Sequence, residues 1–66
     1  MPIIEVTLVE GRSVEKKIEM IRAVTDAVVK TIEAPRETIR VIISEVPKWH
    51  FAVGGEVKAL PYAEGP

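Results

Sequence analysis

Three residues of this 66-residue chain are suited to acid–base and carboxylate chemistry: Pro2, Arg12 and Arg40. Pro2 follows Met1 directly, so removal of Met1 would leave a proline secondary amine at the start of an apolar segment. In a dry pocket beside cations, such an amine can act as a general base near neutral pH. Taken alone, Pro2 is better explained as the first residue of an edge strand, where proline is tolerated.

The two arginines occupy contrasting positions. Arg12 lies in a glycine-containing turn, whereas Arg40 interrupts the apolar segment 39–44. An arginine within a buried strand is costly unless it meets an anion. A substrate carboxylate is one such anion, which arginine binds with two parallel hydrogen bonds. Taken alone, however, Arg40 is better explained by an ion pair with Glu5 or Glu45, and Arg12 by a solvated position in the turn.

Size and composition predict one domain over residues 1–66 that needs help to be stable. A domain this small buries only part of its surface, and disulfides, metals or oligomerisation usually compensate. The chain has no cysteine and one histidine, so oligomerisation is the remaining remedy. A net charge of -1 gives no reason to expect binding to nucleic acid or membranes. Without a signal-peptide pattern or a membrane-length apolar segment, we expect a cytoplasmic protein.

The hydropathy pattern predicts a βαβ unit followed by a hairpin and a tail. Alternating residues indicate the first strand, helical spacing of apolar residues after the N-cap Ser13 indicates the helix, and Gly54-Gly55 indicates the hairpin. The predicted elements are a strand at 2–9, a helix of about 19 residues between the N-cap Ser13 and the stop signal Ala34-Pro35, a strand at 39–44, a hairpin at 52–57 and a tail at 58–66.

The predicted lengths determine which residues can meet. The helix returns the chain to the level of Pro2, so the second strand lies parallel to the first and brings Arg40 close to Pro2. Arg12 falls roughly 30 Å from Pro2 by strand rise. Both strands carry apolar residues on both faces, yet one helix covers only one face. We therefore predict a homo-oligomer, in which a neighbouring chain could bring Arg12 to the same site.

Four segments in order resemble the 4-oxalocrotonate tautomerase (2-hydroxymuconate tautomerase) family of the tautomerase superfamily. They are Pro2 after the initiator Met, LVEGRS at 8–13, RVIISE at 40–45 and WHFAVGGE at 49–56. The resemblance covers nearly all of residues 2–57. It implies an α+β fold, one βαβ unit with a C-terminal hairpin, assembled as a hexamer (a trimer of dimers) with sites shared between subunits.

The resemblance also implies an isomerase activity and the catalytic residues. Pro2 would be the general base of a keto–enol tautomerase, moving one proton between the 2-hydroxyl and a distant carbon of a 2-hydroxymuconate-like dienoic acid from aromatic degradation. Arg12 would bind the far carboxylate, and Arg40 the near carboxylate and the developing dienolate. Guanidinium groups and an apolar pocket would lower the pKa of the Pro2 amine below that of an ordinary α-amine. No metal or organic cofactor is needed.

Three further residues are implied to line the substrate pocket. Phe51 would supply an apolar wall, and the backbone at Val9, where leucine is commoner, would hold the substrate end or a water. Trp49 stands where a small residue is expected, so its indole either narrows the pocket or packs between subunits. The partners implied are therefore a small-molecule carboxylate and further copies of the chain, or a second homologous subunit.

Two alternative functions follow from particular residues. Related enzymes that hydrate or dehalogenate small unsaturated acids use an acidic residue near the hairpin, but Phe51 and Ala52 occupy that stretch here. A non-catalytic oligomeric module is the alternative if Met1 is retained, because an acylated proline nitrogen has no basic lone pair.

Overall fold

The structure, a computed structural model, describes residues 1–57. Its regular elements are the strand β1 (Ile3–Val9), the helix α1 (Val14–Ile32) and the strands β2 (Arg40–Val46), β3 (Ala52–Val53) and β4 (Glu56–Val57). Short 3₁₀ turns at Arg36–Thr38 and Lys48–His50 precede β2 and β3, respectively. The predicted tail at 58–66 lies outside the described residues.

The strands β1 and β2 pair in parallel, which confirms the βαβ unit. Ile3 lies opposite Arg40 at one end of the pair, and Val9 lies opposite Val46 at the other. The strand β2 begins one residue later than predicted and ends two residues later, because Glu45 and Val46 still pair with β1 before Pro47 ends the ladder. The pairing of these last residues depends on β1, so β2's own sequence did not reveal it.

The helix begins where the sequence predicts and has the predicted length of 19 residues. The Ser13 side chain accepts a hydrogen bond of 3.2 Å from the N–H of Lys16, the usual N-cap interaction. At the other end, Glu33 adopts a left-handed conformation, with φ of 56°, and its N–H donates to the Val29 carbonyl at 3.1 Å. This C-cap ends α1 at Ile32, just before the predicted stop signal Ala34-Pro35.

One face of the sheet packs on the helix and the other is open. The half-buried residues on the inner face are Ile4, Val6 and Leu8 of β1 with Val41 and Ile43 of β2, as alternation predicts. On the opposite face, Ile3 is 57% exposed and Ile42 is 49% exposed. Across residues 1–57 no residue is fully buried. A single chain therefore leaves apolar side chains exposed on a sheet face that has no covering layer.

The predicted helical stripe packs only in its middle. Ile21, Val24 and Val28 are half-buried, whereas Val14 and Ile32, which lie near the ends of α1, are exposed. The sheet is shorter than the helix, so the apolar residues near the two ends of α1 extend beyond the sheet. In residues 1–57, no helix is both long enough and apolar enough to cross a membrane.

An ion pair links the outer face of α1 to the turn that follows it. The Asp26 carboxylate pairs with Arg36 in that 3₁₀ turn, and not with Arg22 or Lys30, its i,i+4 neighbours along the helix. The reversal of the chain after α1 brings this guanidinium to the helix, which spacing along the helix could not predict.

The C-terminal hairpin is confirmed. The strands β3 and β4 are antiparallel, and the turn residues Gly54 and Gly55 have φ values of 60° and 84°. Two successive positive φ values are the requirement of a type I′ turn, which favours glycine at these positions.

Candidate active site

Pro2 and Arg40 lie together at one end of the βαβ unit. Pro2 is half-buried immediately before β1, and its carbonyl accepts a hydrogen bond of 3.0 Å from the N–H of Arg40. Ile3, the residue after Pro2, is the register partner of Arg40. This end, called the Pro2 end below, brings the proline ring and a guanidinium-bearing residue to the same level of the sheet.

The Arg40 guanidinium is held by a backbone carbonyl. Its Nη1 donates to the Glu37 carbonyl at 3.0 Å, within the 3₁₀ turn before β2. Neither Glu5 nor Glu45, the two acids considered as partners, pairs with it, and Glu45 binds Lys17 instead. Within residues 1–57, Arg40 forms no ion pair, so its positive charge is not balanced by a carboxylate there.

Arg12 lies at the opposite end of the sheet. Gly11, with φ of 127°, turns the chain after β1, and Nη1 of Arg12 folds back to donate to the Val9 carbonyl at 3.3 Å. The turn is tied to β2, because the N–H of Glu10 donates to the Val46 carbonyl at 2.9 Å. Arg12 therefore lies close to the end of β1, and not farther along the direction of the strand.

A cleft of about 400 Å³ opens beside Arg12. It is lined by Leu8, Arg12, Lys16, Lys17 and Met20. Its walls are the side chains of Leu8 and Met20, and its charged groups are all cationic. Such a cleft suits a ligand with an apolar body and an anionic end.

Trp49 and Phe51 follow the end of β2 and belong to the same end as Arg12. The 3₁₀ turn that contains Trp49 is linked to the first turn of the chain, since the N–H of Lys48 donates to Glu10 Oε2 at 3.4 Å. Trp49 is 41% exposed and Phe51 is 45% exposed. Both aromatic rings are therefore available to a ligand or to a neighbouring chain.

The predicted site residues thus form two clusters in one chain. The Pro2 end holds Pro2 and Arg40, and the end called the Arg12 end holds Arg12, Val9, Trp49 and Phe51. Seven residue steps along β1 correspond to roughly 23 Å, less than expected because Arg12 bends back to Val9. This separation is still too large for one small substrate to touch both clusters of the same chain.

The two lysines and Glu10 near Arg12 were not predicted from the sequence. Lys16 and Lys17 lie in the first turns of α1, directly after the Arg12 turn, and both line the cleft. Their position directly after Arg12 in the sequence could have predicted this, because the first residues of a helix lie close to the turn that precedes the helix. The contact of Glu10 with Lys48 spans 38 residues and had no local signal.

The βαβ architecture with its terminal hairpin is the fold of a known enzyme class. The family described as "Tautomerase enzyme" matches residues 2–60, and the chain belongs to this family. This confirms the resemblance seen in the sequence. It also confirms the enzyme class, since tautomerases are isomerases that interconvert keto and enol forms.

Two curated relatives illustrate the similarity in sequence. The chain is 52% identical over 59 residues to a "Probable tautomerase" of Ralstonia nicotianae, covering 89% of this chain and 84% of the relative. It is 50% identical over 56 residues to a 2-hydroxymuconate tautomerase of Pseudomonas putida, covering 85% of this chain and 89% of the relative.

Solved structures show the same similarity in fold. A heterohexamer 4-oxalocrotonate tautomerase from Chloroflexus aurantiacus superposes with a TM-score of 0.83 at 40% identity, covering 86% of this chain and 92% of that one. A 4-oxalocrotonate tautomerase isozyme from Methylibium petroleiphilum gives a TM-score of 0.82 at 41% identity, covering 85% and 88%. The predicted tautomerase-like α+β fold is confirmed.

Proposed function

We propose that this tautomerase acts on 2-hydroxymuconate-like dienoic acids, with the free amine of Pro2 as the general base after removal of Met1. The observation that carries the proposal is the hydrogen bond from the Arg40 N–H to the Pro2 carbonyl, at 3.0 Å. This hydrogen bond joins the backbone of Pro2, the proposed base, to the backbone of Arg40. Within residues 1–57, no carboxylate balances the charge of Arg40. The names of the relatives from Pseudomonas and Chloroflexus support this substrate class.

The proposed reaction moves one proton. The Pro2 amine accepts it from the 2-hydroxyl of the substrate and returns it to a distant carbon, so the substrate passes through a dienolate. Negative charge develops on the oxygen that loses the proton. Arg40 stabilises that charge and binds the adjacent carboxylate, and a donor aimed at developing charge increases the rate most.

The far carboxylate would be bound by Arg12 of a neighbouring chain. The two clusters of one chain are too far apart for one substrate, whereas a neighbouring Arg12 end could lie against the Pro2 end. The substrate's apolar carbons would then lie against Phe51 and Trp49, with the Val9 carbonyl near its end. We propose a homo-oligomer, with a hexamer as the expected size, in which every site is shared between chains.

The first experiment joins intact-mass measurement to a tautomerase assay. Mass spectrometry of the purified protein reports whether Met1 has been removed, and ultraviolet absorbance follows the conversion of 2-hydroxymuconate. We expect Pro2→Ala and Arg40→Ala each to lower kcat/KM about a hundredfold or more. Arg22→Ala, an exposed arginine on α1, is the matched control and should retain activity.

Two results would contradict the mechanism. One is full activity in protein that retains Met1, because its proline nitrogen is an amide. The other is an unchanged rate in both Pro2→Ala and Arg40→Ala, which would leave the tautomerase class intact but remove these residues from the reaction.

A further inference from the structure

We propose that Lys17 and Glu45 are positioning residues that hold Arg12 in place for the far carboxylate of the substrate. This inference rests on the proposed function. It adds Lys17 and Glu45 to the proposed site as residues that do not need to contact the substrate. It begins from the ion pair between Lys17 Nζ and Glu45 Oε2, which are 2.9 Å apart.

The ion pair closes a ring of contacts around Arg12. Lys17 lies in α1 five residues after Arg12, and Glu45 directly precedes Val46, the register partner of Val9. The Val9 carbonyl in turn accepts the hydrogen bond from Arg12 Nη1 at 3.3 Å. The ion pair therefore fixes the start of α1 relative to the strand ends, and this relation determines where the Arg12 guanidinium lies.

Burial distinguishes this ion pair from the others in the described part of the chain. The Lys17 and Glu45 side chains are 21% and 34% exposed, whereas those of Lys16 and Glu19 are 74% and 75% exposed. Exposed pairs contribute little because water and salt screen them, and partly buried pairs are screened less. Loss of one partner here would leave the other charge in a half-buried position, which favours a local rearrangement.

The same pair sets the charge that a substrate meets in the cleft. Lys17 and Arg12 both line it, but Glu45 balances the Lys17 ammonium. Lys17 lines the cleft together with Leu8 and Met20, and a lysine can pack its apolar stem against such a wall while its charged end stays near water. The Arg12 guanidinium, which lacks a carboxylate partner in residues 1–57, remains for the ligand.

The proposal predicts an effect confined to substrates with a far carboxylate. In Lys17→Met and Glu45→Gln, we expect KM for 2-hydroxymuconate to rise about tenfold, which corresponds to about 1.4 kcal/mol. The KM for phenylenolpyruvate, which has a phenyl ring in place of that carboxylate, should stay within about twofold of wild type. The kcat with phenylenolpyruvate should also be kept, because the Pro2 end is untouched.

Matched controls separate positioning from general destabilisation. Glu19→Gln removes the carboxylate of an exposed pair on the same helix, and Lys30→Met removes an exposed lysine near its end. Both should leave the ratio of the two KM values unchanged. The exchanged variant Lys17→Glu with Glu45→Lys restores an ion pair, as does Lys17→Arg, so both should return KM for 2-hydroxymuconate toward wild type.

The outcomes are distinguishable from failure of the proposed function. If wild type converts neither substrate, the proposed function fails, and the positioning role fails with it. If wild type is active and the single variants raise both KM values equally, or if the exchanged variant assembles but keeps the high KM, the positioning role is overturned. A single variant that fails to assemble leaves the decision to Lys17→Arg and the exchanged variant.

Discussion

At the scale of single residues, both arginines of the proposed site are aimed by backbone carbonyls. Arg12 donates to Val9, and Arg40 donates to Glu37. A guanidinium has five N–H donors, so one contact to a neutral carbonyl orients the group and leaves both its charge and its other donors for a ligand. A carboxylate partner would have cancelled the attraction that a dicarboxylate substrate needs.

Arg12 is expected to affect binding of the far carboxylate rather than the proton transfer. In Arg12→Ala, KM for 2-hydroxymuconate should rise about tenfold to a hundredfold, because a hydrogen bond to a charged group contributes about 1.5–3 kcal/mol. Steady-state kinetics with 2-hydroxymuconate and with phenylenolpyruvate measures the effect, and Arg22→Ala serves as the control. An equal rise in KM for both substrates would show that Arg12 acts on something other than that carboxylate.

At the scale of elements, local sequence signals determine where the helix begins and ends and where the hairpin turns. Ser13 caps α1 through the Lys16 N–H, and Glu33 ends it by adopting a left-handed conformation. The two turn glycines have positive φ values and open space around the position that a Cβ would occupy. Their requirement is therefore conformational and not steric.

The two hairpin glycines should differ in the substitutions they tolerate. Gly54, with φ of 60°, has the conformation that asparagine adopts readily, so Gly54→Asn should change the free energy of unfolding by less than about 0.5 kcal/mol. In Gly55→Val, where φ is 84°, a β-branched residue should lower it by roughly 1–2 kcal/mol. Urea unfolding at one fixed protein concentration measures both. Equal stability of the two variants would contradict the assigned turn.

At the scale of the whole molecule, the main observation is the absence of a buried residue in residues 1–57. Ile3 and Ile42 share the open face of the sheet, and Trp49, Phe51 and Val53 are exposed after it. A monomer would leave all of this apolar surface in water. Assembly would cover the open sheet face and could bring an Arg12 end to a Pro2 end, so stability and activity are expected to depend on the same contacts.

A charge on the open sheet face should therefore dissociate the proposed oligomer. In Ile42→Asp, sedimentation velocity should show a smaller species than wild type at the same concentration, because a buried unpaired carboxylate is costly. The tautomerase activity on 2-hydroxymuconate should fall with assembly. Ala23→Asp places the same charge on the outer surface of α1 and should keep the wild-type mass and activity. An Ile42→Asp protein of unchanged mass would place the interface elsewhere.

The architecture and one half of the candidate site were predictable from sequence because they depend on local patterns. Alternation predicted which face of β1 packs on the helix, a cap residue predicted the start of α1, and paired glycines predicted the hairpin turn. Arg40 was expected near Pro2 from element lengths alone, because a parallel strand must start at the level to which the helix returns the chain. Family resemblance then predicted the fold and the enzyme class.

Contacts between residues distant in sequence were decided only by the tertiary structure. The last two residues of β2, the Asp26–Arg36 pair and the Lys17–Glu45 pair each depend on which segments meet after the chain reverses. The return of Arg12 to Val9 likewise follows from the Gly11 turn and not from strand rise. Local spacing encodes conformation along the chain, whereas these contacts depend on packing and charge between elements, which the spacing of residues within one segment does not specify.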